Sequence, residues 1–446
     1  MEFNAFRKML LKKGLEAGFS ECEIYYTQGE SLSISVYEGE VEKYNLEKSK
    51  GLSFRGLING KMGYSFTEIL DFDALNMLIK NAKESALNVE SDDVQFIYKG
   101  DKDYSEVKTY SEDLENIDPA KMIDLVLNLE KEAKSYDKVV NINGCKISYS
   151  SSSHSIYNTN GLELNNKSNI LMAYVVPVVE DNGQKQDGIG YSIVNSIENL
   201  NPKEIAKDGI NEAISKLNGS SIESKKYKTI LYKDAMASLL ETFSNTFSAD
   251  AAQRGLSLLK DKEGEIIGSE VLTIVDNPLL DNGLGSTPFD DEGVATYKKE
   301  LVSSGRLNTL LHNLKTANKA NTKSTGNGFK ASFASNVGVE CSNLYIEAGE
   351  KDLDELMKIV DEGIMITDLA GLHSGANPIS GDFSLAAKGF YIKDGAKTHP
   401  IEQITVAGNY FELLKDIEVV GSDLKFPMSN VGSPSVIVKE LSIAGK

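Results

Sequence analysis

The sequence is poor in the residues that most metal and redox chemistry requires, with four histidines and three cysteines in 446 residues. His154, His312, His373 and His399 lie too far apart to write a His-Glu-x-x-His helix or any related zinc pair, so each reads as a turn or surface residue. Cys22, Cys145 and Cys341 are odd in number and form no Cys-x-x-Cys, which suits reduced thiols in a cytosol better than a disulfide framework. Basic charge is also short: 47 Lys and Arg face 66 Asp and Glu, a net charge of −19. Such a chain repels phosphate backbones, and the pairs Lys225-Lys226 and Lys298-Lys299 read as solvated surface, so no direct nucleic-acid partner is expected. Long apolar runs are missing as well. The longest, Leu171 to Val179, contains Pro177 and falls short of the ~20 residues of a membrane helix. Met1-Glu2-Phe3-Asn4 opens into an amphipathic pattern rather than a basic and then apolar leader, so the expectation is a cytoplasmic protein without a membrane partner.

What remains is a globular composition, 41% hydrophobic and 25% charged, long enough for two large units or three smaller ones. Proline marks two textures, since Pro119, Pro177 and Pro202 are the only ones before a later group running from Pro278 to Pro434. The break is placed near Gly219-Ser220-Ser221, giving an N-terminal α+β domain, 1–219, and a C-terminal β-rich domain, 220–446.

In the first region Phe6, Leu10 and Ala17 begin a helical pattern. Alternating segments follow at 23–27, 32–37, 41–46, 52–58 and 62–67, with Asn59-Gly60 as a type I′ hairpin signal. A helix over 71–88 closes the set. The order then recurs: Asp118-Pro119 caps a helix, strands follow at 139–149, 155–158, 162–165, 170–179 and 188–194, with Asn160-Gly161 as a second hairpin signal, and a helix from Pro202 ends it. Gly63-Tyr64-Ser65 matches Gly190-Tyr191-Ser192. This suggests a duplicated helix–meander–helix unit with repeats over 1–100 and 115–219.

The second region opens with a strand from Tyr227 running into a helix, for which Asp234 is the expected N-cap. Met236, Leu239, Leu240, Phe243 and Phe247 line one face of it. A helix over 352–362 interrupts a tract rich in short strands, the last expected over 435–443. The fold class is therefore α+β, with an irregular barrel- or sandwich-like C-terminal domain.

No catalytic constellation follows from the residues alone. Gly56-Leu-Ile-Asn-Gly60-Lys61-Met62 fails as a P-loop, Gly283-Leu284-Gly285 fails as a dinucleotide fingerprint, and Ser384 is not framed as Gly-x-Ser-x-Gly. The acidic group Asp276, Asp281, Asp290, Asp291 and Glu292 could hold a hard cation, but turn chemistry explains it more simply. Thr325-Gly326-Asn327-Gly328 reads equally as a ligand loop or a plain turn.

Several stretches taken together resemble the TldD/PmbA family, in its PmbA/TldE branch. They are Phe289-Asp290-Asp291-Glu292-Gly293-Val294-Ala295-Thr296, Gly305-Arg306-Leu307, Thr325-Gly326-Asn327-Gly328, Gly381-Asp382-Phe383-Ser384, Ile404-Thr405-Val406-Ala407-Gly408-Asn409, and the closing Ser433-Pro434-Ser435 and Ala444-Gly445. The family is described as modulators of DNA gyrase and as cytoplasmic proteases. Its TldD branch carries a His-Glu-x-x-x-His zinc helix, which aligns here with Lys233 to Glu241. Lys233 and Ser238 stand at the ligand positions and Asp234 at that of the general base. The stretch Phe426-Pro427-Met428-Ser429-Asn430 lacks the cysteine that TldD proteins supply near the carboxyl end. The resemblance implies no zinc, no cofactor and no catalytic residue in this chain. It also implies a heterodimer with a TldD-like catalytic subunit acting on extended peptides, as in microcin leader trimming or antitoxin degradation, and a homodimer when alone. Two competitors remain: an independent regulator acting on gyrase, and a hydrolase using Lys233 and Ser238 as a dyad. The dyad is disfavoured because five residues turn side chains by about 140° on a helix.

Overall fold

The computed structural model describes residues 1–88 and 95–446. Helix α1 (Phe3–Glu16) leads into β1 (Glu21–Tyr37), β2 (Glu40–Ile58) and β3 (Lys61–Thr67), and α2 (Phe72–Leu87) closes the unit. Asp71 caps α2 by accepting from the Ala74 amide at 2.8 Å. Phe6 and Leu10 of α1 and Leu75, Leu78 and Ala82 of α2 bury the apolar face of the strands at Ile24, Leu52 and Phe54. Asn59 and Gly60 take φ of 51° and 76°, as a type I′ turn requires.

The strand count differs from the alternation pattern. Segments 23–27 and 32–37 are one strand, β1, and segments 41–46 and 52–58 are one strand, β2, joined in an antiparallel ladder from Glu21↔Leu57 to Tyr37↔Glu40. The polar stretches Gln28–Ser31 and Glu47–Gly51 break the hydrophobic signal while the backbone ladder runs on through them. The same merging occurs in the second unit, where β4 (Val139–Asn158) and β5 (Glu163–Asp181) each span two expected segments.

That second unit comprises α3 (Pro119–Lys134), β4, β5, β6 (Gln184–Asp187), β7 (Gly190–Val194) and α4 (Pro202–Ser215); β6 carried no sequence signal. All seven strands share one sheet, in the order β3-β2-β1-β4-β5-β6, with β7 also on β5. Gly63 and Gly190 do the same work in the two units. A Cβ at Gly63 would lie 1.8 Å from the Ala82 carbonyl oxygen of α2, and one at Gly190 would lie 1.8 Å from that of Ile205 in α4. Each lets a closing helix ride directly on the short last strand of its unit.

Strand β8 (Lys225–Leu231) runs into α5 (Lys233–Phe243). A small sheet follows, ordered β11-β10-β9-β14-β19, from β9 (Ile274–Asp276), β10 (Lys299–Ser303), β11 (Arg306–Leu307), β14 (Leu344–Ile346) and β19 (Val431–Gly432). Strands β12 (Gly328–Lys330) and β13 (Val337–Val339) pair separately. Then β15 (Gly363–Ala370), β16 (Asp382–Lys393), β17 (Ala396–Asn409), β18 (Ile417–Val420) and β20 (Val436–Ala444) join β8 in the order β17-β16-β15-β8-β20-β18. Strand β17 also pairs with β20, at Thr405↔Ala444 to Ala407↔Ser442, and this closes the sheet into a barrel. Side chains alternate across its wall. Leu231, Ile364, Ile366, Val436 and Val438 pack with Met236, Leu239, Leu240 and Phe243 of α5. Ile230, Met365 and Ile437 pack on the other side against the helix Leu353–Val360.

Candidate functional site

The start of α5 sits where a barrel strand turns into a helix. Its backbone is tied down from afar: the Tyr232 amide donates to the Ile366 carbonyl at 2.9 Å, and the Lys233 amide donates to Ser435 Oγ at 3.1 Å. Asp234 is therefore not the N-cap. The helix begins at Lys233 with Tyr232 at the cap position, and Ser435 supplies the acceptor that a capping side chain would otherwise give. The Asp234 carboxylate instead meets Lys425 Nζ at 3.3 Å, and its charge in the first turn suits the helix dipole.

The neighbouring groups are similarly engaged. Lys233 Nζ lies 3.7 Å from Asp423 Oδ2, which also accepts from Ser435 Oγ at 2.8 Å. Lys425 Nζ stands 4.7 Å from the Tyr191 ring centroid; burial works against its charge, but Tyr191 and Asp234 outweigh that and hold its pKa above the usual lysine range. Ser238 Oγ donates to the Asp234 carbonyl oxygen at 2.9 Å. Ser429 Oγ donates to Glu241 Oε1 at 2.9 Å. The structure thus gathers Lys233, Asp234, Asp423, Lys425 and Ser435 at one helix end, while Ser238 turns to its own backbone. Sequence reasoning missed Asp423, Lys425 and Tyr191, for which no local motif exists. Among the described residues no group of three or more His, Cys, Asp or Glu side chains is placed to hold a metal ion.

A second concentration of charge lies where the N-terminal sheet meets the loop Phe289–Thr296. Asp290 does hold a turn, its Oδ1 accepting from the Glu292 and Val294 amides, both at 3.0 Å. The loop does more than turn. Asp290 Oδ2 accepts from the Gly328 amide at 2.9 Å, Asp291 Oδ2 from the Lys330 amide at 2.8 Å, and Glu292 Oε2 from the Leu314 amide at 2.7 Å. From the N-terminal side, Arg55 Nε donates to Glu23 Oε1 at 2.7 Å and Arg55 Nη1 reaches Glu292 Oε1 at 3.7 Å. Lys330 Nζ returns the contact, donating to Ser53 Oγ at 3.0 Å and Tyr64 Oη at 3.3 Å between the rings of Tyr25 and Tyr64.

Burial governs the protonation of this cluster. It pushes the Asp290 carboxyl well above the usual range, helped by the Glu292 charge, against three backbone N–H donors that pull the other way. Burial also raises Glu292, with Arg55 opposing it. Lys330 is lowered to about 8 by burial and then by the Arg55 cation, with the nearby carboxylates acting in the opposite sense. A cavity of about 370 Å³ adjoins the cluster, lined in part by Arg55, Tyr64, Glu292, Leu314, Lys330 and Asn336. Asp276, from the same acidic stretch of sequence, is separate: it meets Lys299 Nζ and Asn327 Nδ2, each at 3.0 Å. Asn327 of the Thr325–Gly328 motif is therefore a buried structural link.

Three family models match the chain, described as PmbA/TldA metallopeptidase domain 1 over residues 22–86, central domain over 112–217 and C-terminal domain over 224–445. The "Metalloprotease PmbA" of Escherichia coli O157:H7 is 25% identical over 97% of this chain and 94% of its own. The "Metalloprotease PmbA homolog" of Buchnera aphidicola subsp. Acyrthosiphon pisum is 27% identical over 98% and 95%. Among solved structures, the "putative modulator of a DNA gyrase" of Thermotoga maritima superposes with a TM-score of 0.93 at 32% identity, covering 99% of this chain and 100% of the other. TldE of Thermococcus kodakarensis shares the fold, with a TM-score of 0.90 at 23% identity, covering 99% of this chain and 100% of the other. Among the described residues no helix is long and apolar enough to cross a membrane.

Proposed function

Because the chain belongs to the PmbA/TldD metallopeptidase family, we propose that it is a PmbA/TldE-like subunit without a zinc site of its own, working in the cytoplasm beside a TldD-like catalytic chain on unstructured peptides. The observation that carries this reading is the donor set at the start of α5. Zinc takes imidazole, thiolate or carboxylate ligands, and a zinc-bound hydroxide forms only inside such a shell. Lys233 brings an ammonium group to one aligned ligand position and directs it at Asp423, while Ser238 at the other gives its hydroxyl hydrogen to a backbone carbonyl. The Asp234 carboxylate, at the aligned place of the general base, is paired with Lys425. These residues do not fit a zinc ion. Extended peptides suit a protein so rich in strands, because a peptide backbone can add to a strand edge with little regard to sequence.

The test is a peptidase assay on an unstructured peptide with each chain alone and with the two mixed. The reading expects cleavage that needs the TldD-like chain, increases on addition of this one and disappears with chelator. Cleavage by this chain alone, insensitive to chelator and lost in Ser238→Ala, would instead support the Lys233 and Ser238 dyad.

A further inference from the structure

The cavity of about 370 Å³ beside the junction cluster is positively lined in an acidic chain. The net charge is −19, yet among the described residues that line this cavity Arg55, Lys315 and Lys330 face a single carboxylate, Glu292. A local excess of positive charge concentrates anions. The other carboxylates of the junction do not line it and have donors of their own. Glu23 accepts from Arg55 Nε at 2.7 Å, Asp290 from the Gly328 amide at 2.9 Å and Asp291 from the Lys330 amide at 2.8 Å.

Two of the cations keep unused donors. Arg55 Nη2 is buried and, among the described residues, has no hydrogen-bond partner, while Nη1 lies 3.7 Å from Glu292, beyond hydrogen-bond length. An unmatched donor on a buried charged group is costly, so an acceptor supplied from the cavity is favoured. Lys330 Nζ gives two of its three N–H groups, to Ser53 Oγ at 3.0 Å and Tyr64 Oη at 3.3 Å, and makes no ion pair with a described residue. Burial and then the Arg55 cation lower its pKa, so the two cations stand close enough to repel, and an anion between them relieves that repulsion.

A carboxylate suits this place. It is planar, pairs with the terminal nitrogens of a guanidinium in two parallel bonds, and brings only one charge toward Glu292. Met62 and Phe96 line the same cavity, and Phe96 is 37% exposed, which leaves apolar surface for the body of the ligand to cover. Ligand pockets run from about 300 to 1,000 Å³, so the volume here suits a small molecule or the end of a chain. The wall is also preformed. Tyr64 Oη, shared between the Phe333 and Ser335 carbonyls, pins the β12–β13 hairpin that carries Lys330 to strand β3.

We propose that this cavity binds a monocarboxylate with a small apolar body, its carboxylate held between Arg55 and Lys330 and its apolar part against Met62 and Phe96. The proposal does not depend on the subunit role above.

Isothermal titration calorimetry of the full chain tests it with acetyl-alanyl-leucine, the same dipeptide as its C-terminal amide, acetyl-leucine and inorganic phosphate. The dipeptide acid binds saturably and its amide at least about tenfold more weakly, since the amide lacks the charge that the two cations meet. Acetyl-leucine binding as tightly as the dipeptide supports the site as one for small free acids, and binding of the dipeptide alone supports it as one for peptide ends. Lys330→Met weakens the acid about tenfold and leaves the amide within about twofold. If that variant fails to fold, the acid and amide compared on the parent chain decide alone. No saturable binding at millimolar acid overturns the proposal. So does equal binding of acid and amide, acid binding unchanged in folded Lys330→Met, or phosphate binding more tightly than the acid. A chain that stimulates a TldD-like peptidase but binds none of these acids overturns the carboxylate site and leaves the subunit reading intact.

Discussion

Lys233 and Lys330 each stand among carboxylates, one at the start of α5 and one at the junction of the N-terminal sheet with the Phe289–Thr296 loop, and their surroundings separate them. At α5 the partners keep more water: the side chains of Lys233 and Asp423 remain 21% and 19% exposed and those of Asp234 and Lys425 32% and 39%, and their attraction is partly screened. At the junction Arg55, Glu23 and Glu292 are nearly sealed, and every charge there depends on its neighbours. Family alignment directs attention to the first place, yet it is in the second that burial pushes two carboxyl groups up and a lysine down. Ion pairs fill the α5 region where metal ligands would be needed, whereas the junction ties the two parts of the chain together.

The contrast can be broken most directly at Arg55. Arg55→Ala leaves Glu23 and Glu292 buried without their cation, and a loss of about 3–5 kcal/mol in urea unfolding is expected. A loss below about 1 kcal/mol would mean that water reaches the cluster as it does α5.

Lys330 sharpens the contrast through pH. Its folded pKa, about 8, lies below the ordinary 10.5, so between those values the unfolded chain holds a proton that the native one has released. The cost of burying the cation is therefore present below about pH 8 and is relieved as pH rises toward 10.5. Measured by urea unfolding, the stability of the parent chain should rise relative to Lys330→Met across that window. Parallel curves would place Lys330 in solvent. Asp290 has the opposite sign: its raised pKa makes its own contribution more favourable as pH falls toward the ordinary carboxylate range.

The smallest effect is expected at α5. Lys425→Ala should cost between about 0 and 1 kcal/mol, and added salt should reduce that cost further. A loss as large as that at Arg55 would erase the distinction.

Local chemistry was legible in the sequence. Asp118-Pro119 and Asn59-Gly60 act where they stand, because caps and tight turns are satisfied within a few residues. The Asp234 cap failed for the opposite reason, since its role is taken by Ser435 from the far end of the chain. The continuity of β1 and β2 was hidden because polar residues on both faces of a strand look like a loop until the ladder partner is known. The turn at Asp290 was readable, but its joining of Gly328, Lys330, Leu314 and Arg55 was not, because those partners are distant in sequence. The Gly63 and Gly190 match has a shared physical role under α2 and α4, and with it we propose that the two N-terminal units descend from one duplicated ancestor.

Metal analysis of the chain purified without chelator tests the central claim most directly. The donor set at Lys233, Asp234 and Ser238 predicts no stoichiometric zinc, and about one zinc per chain would contradict it.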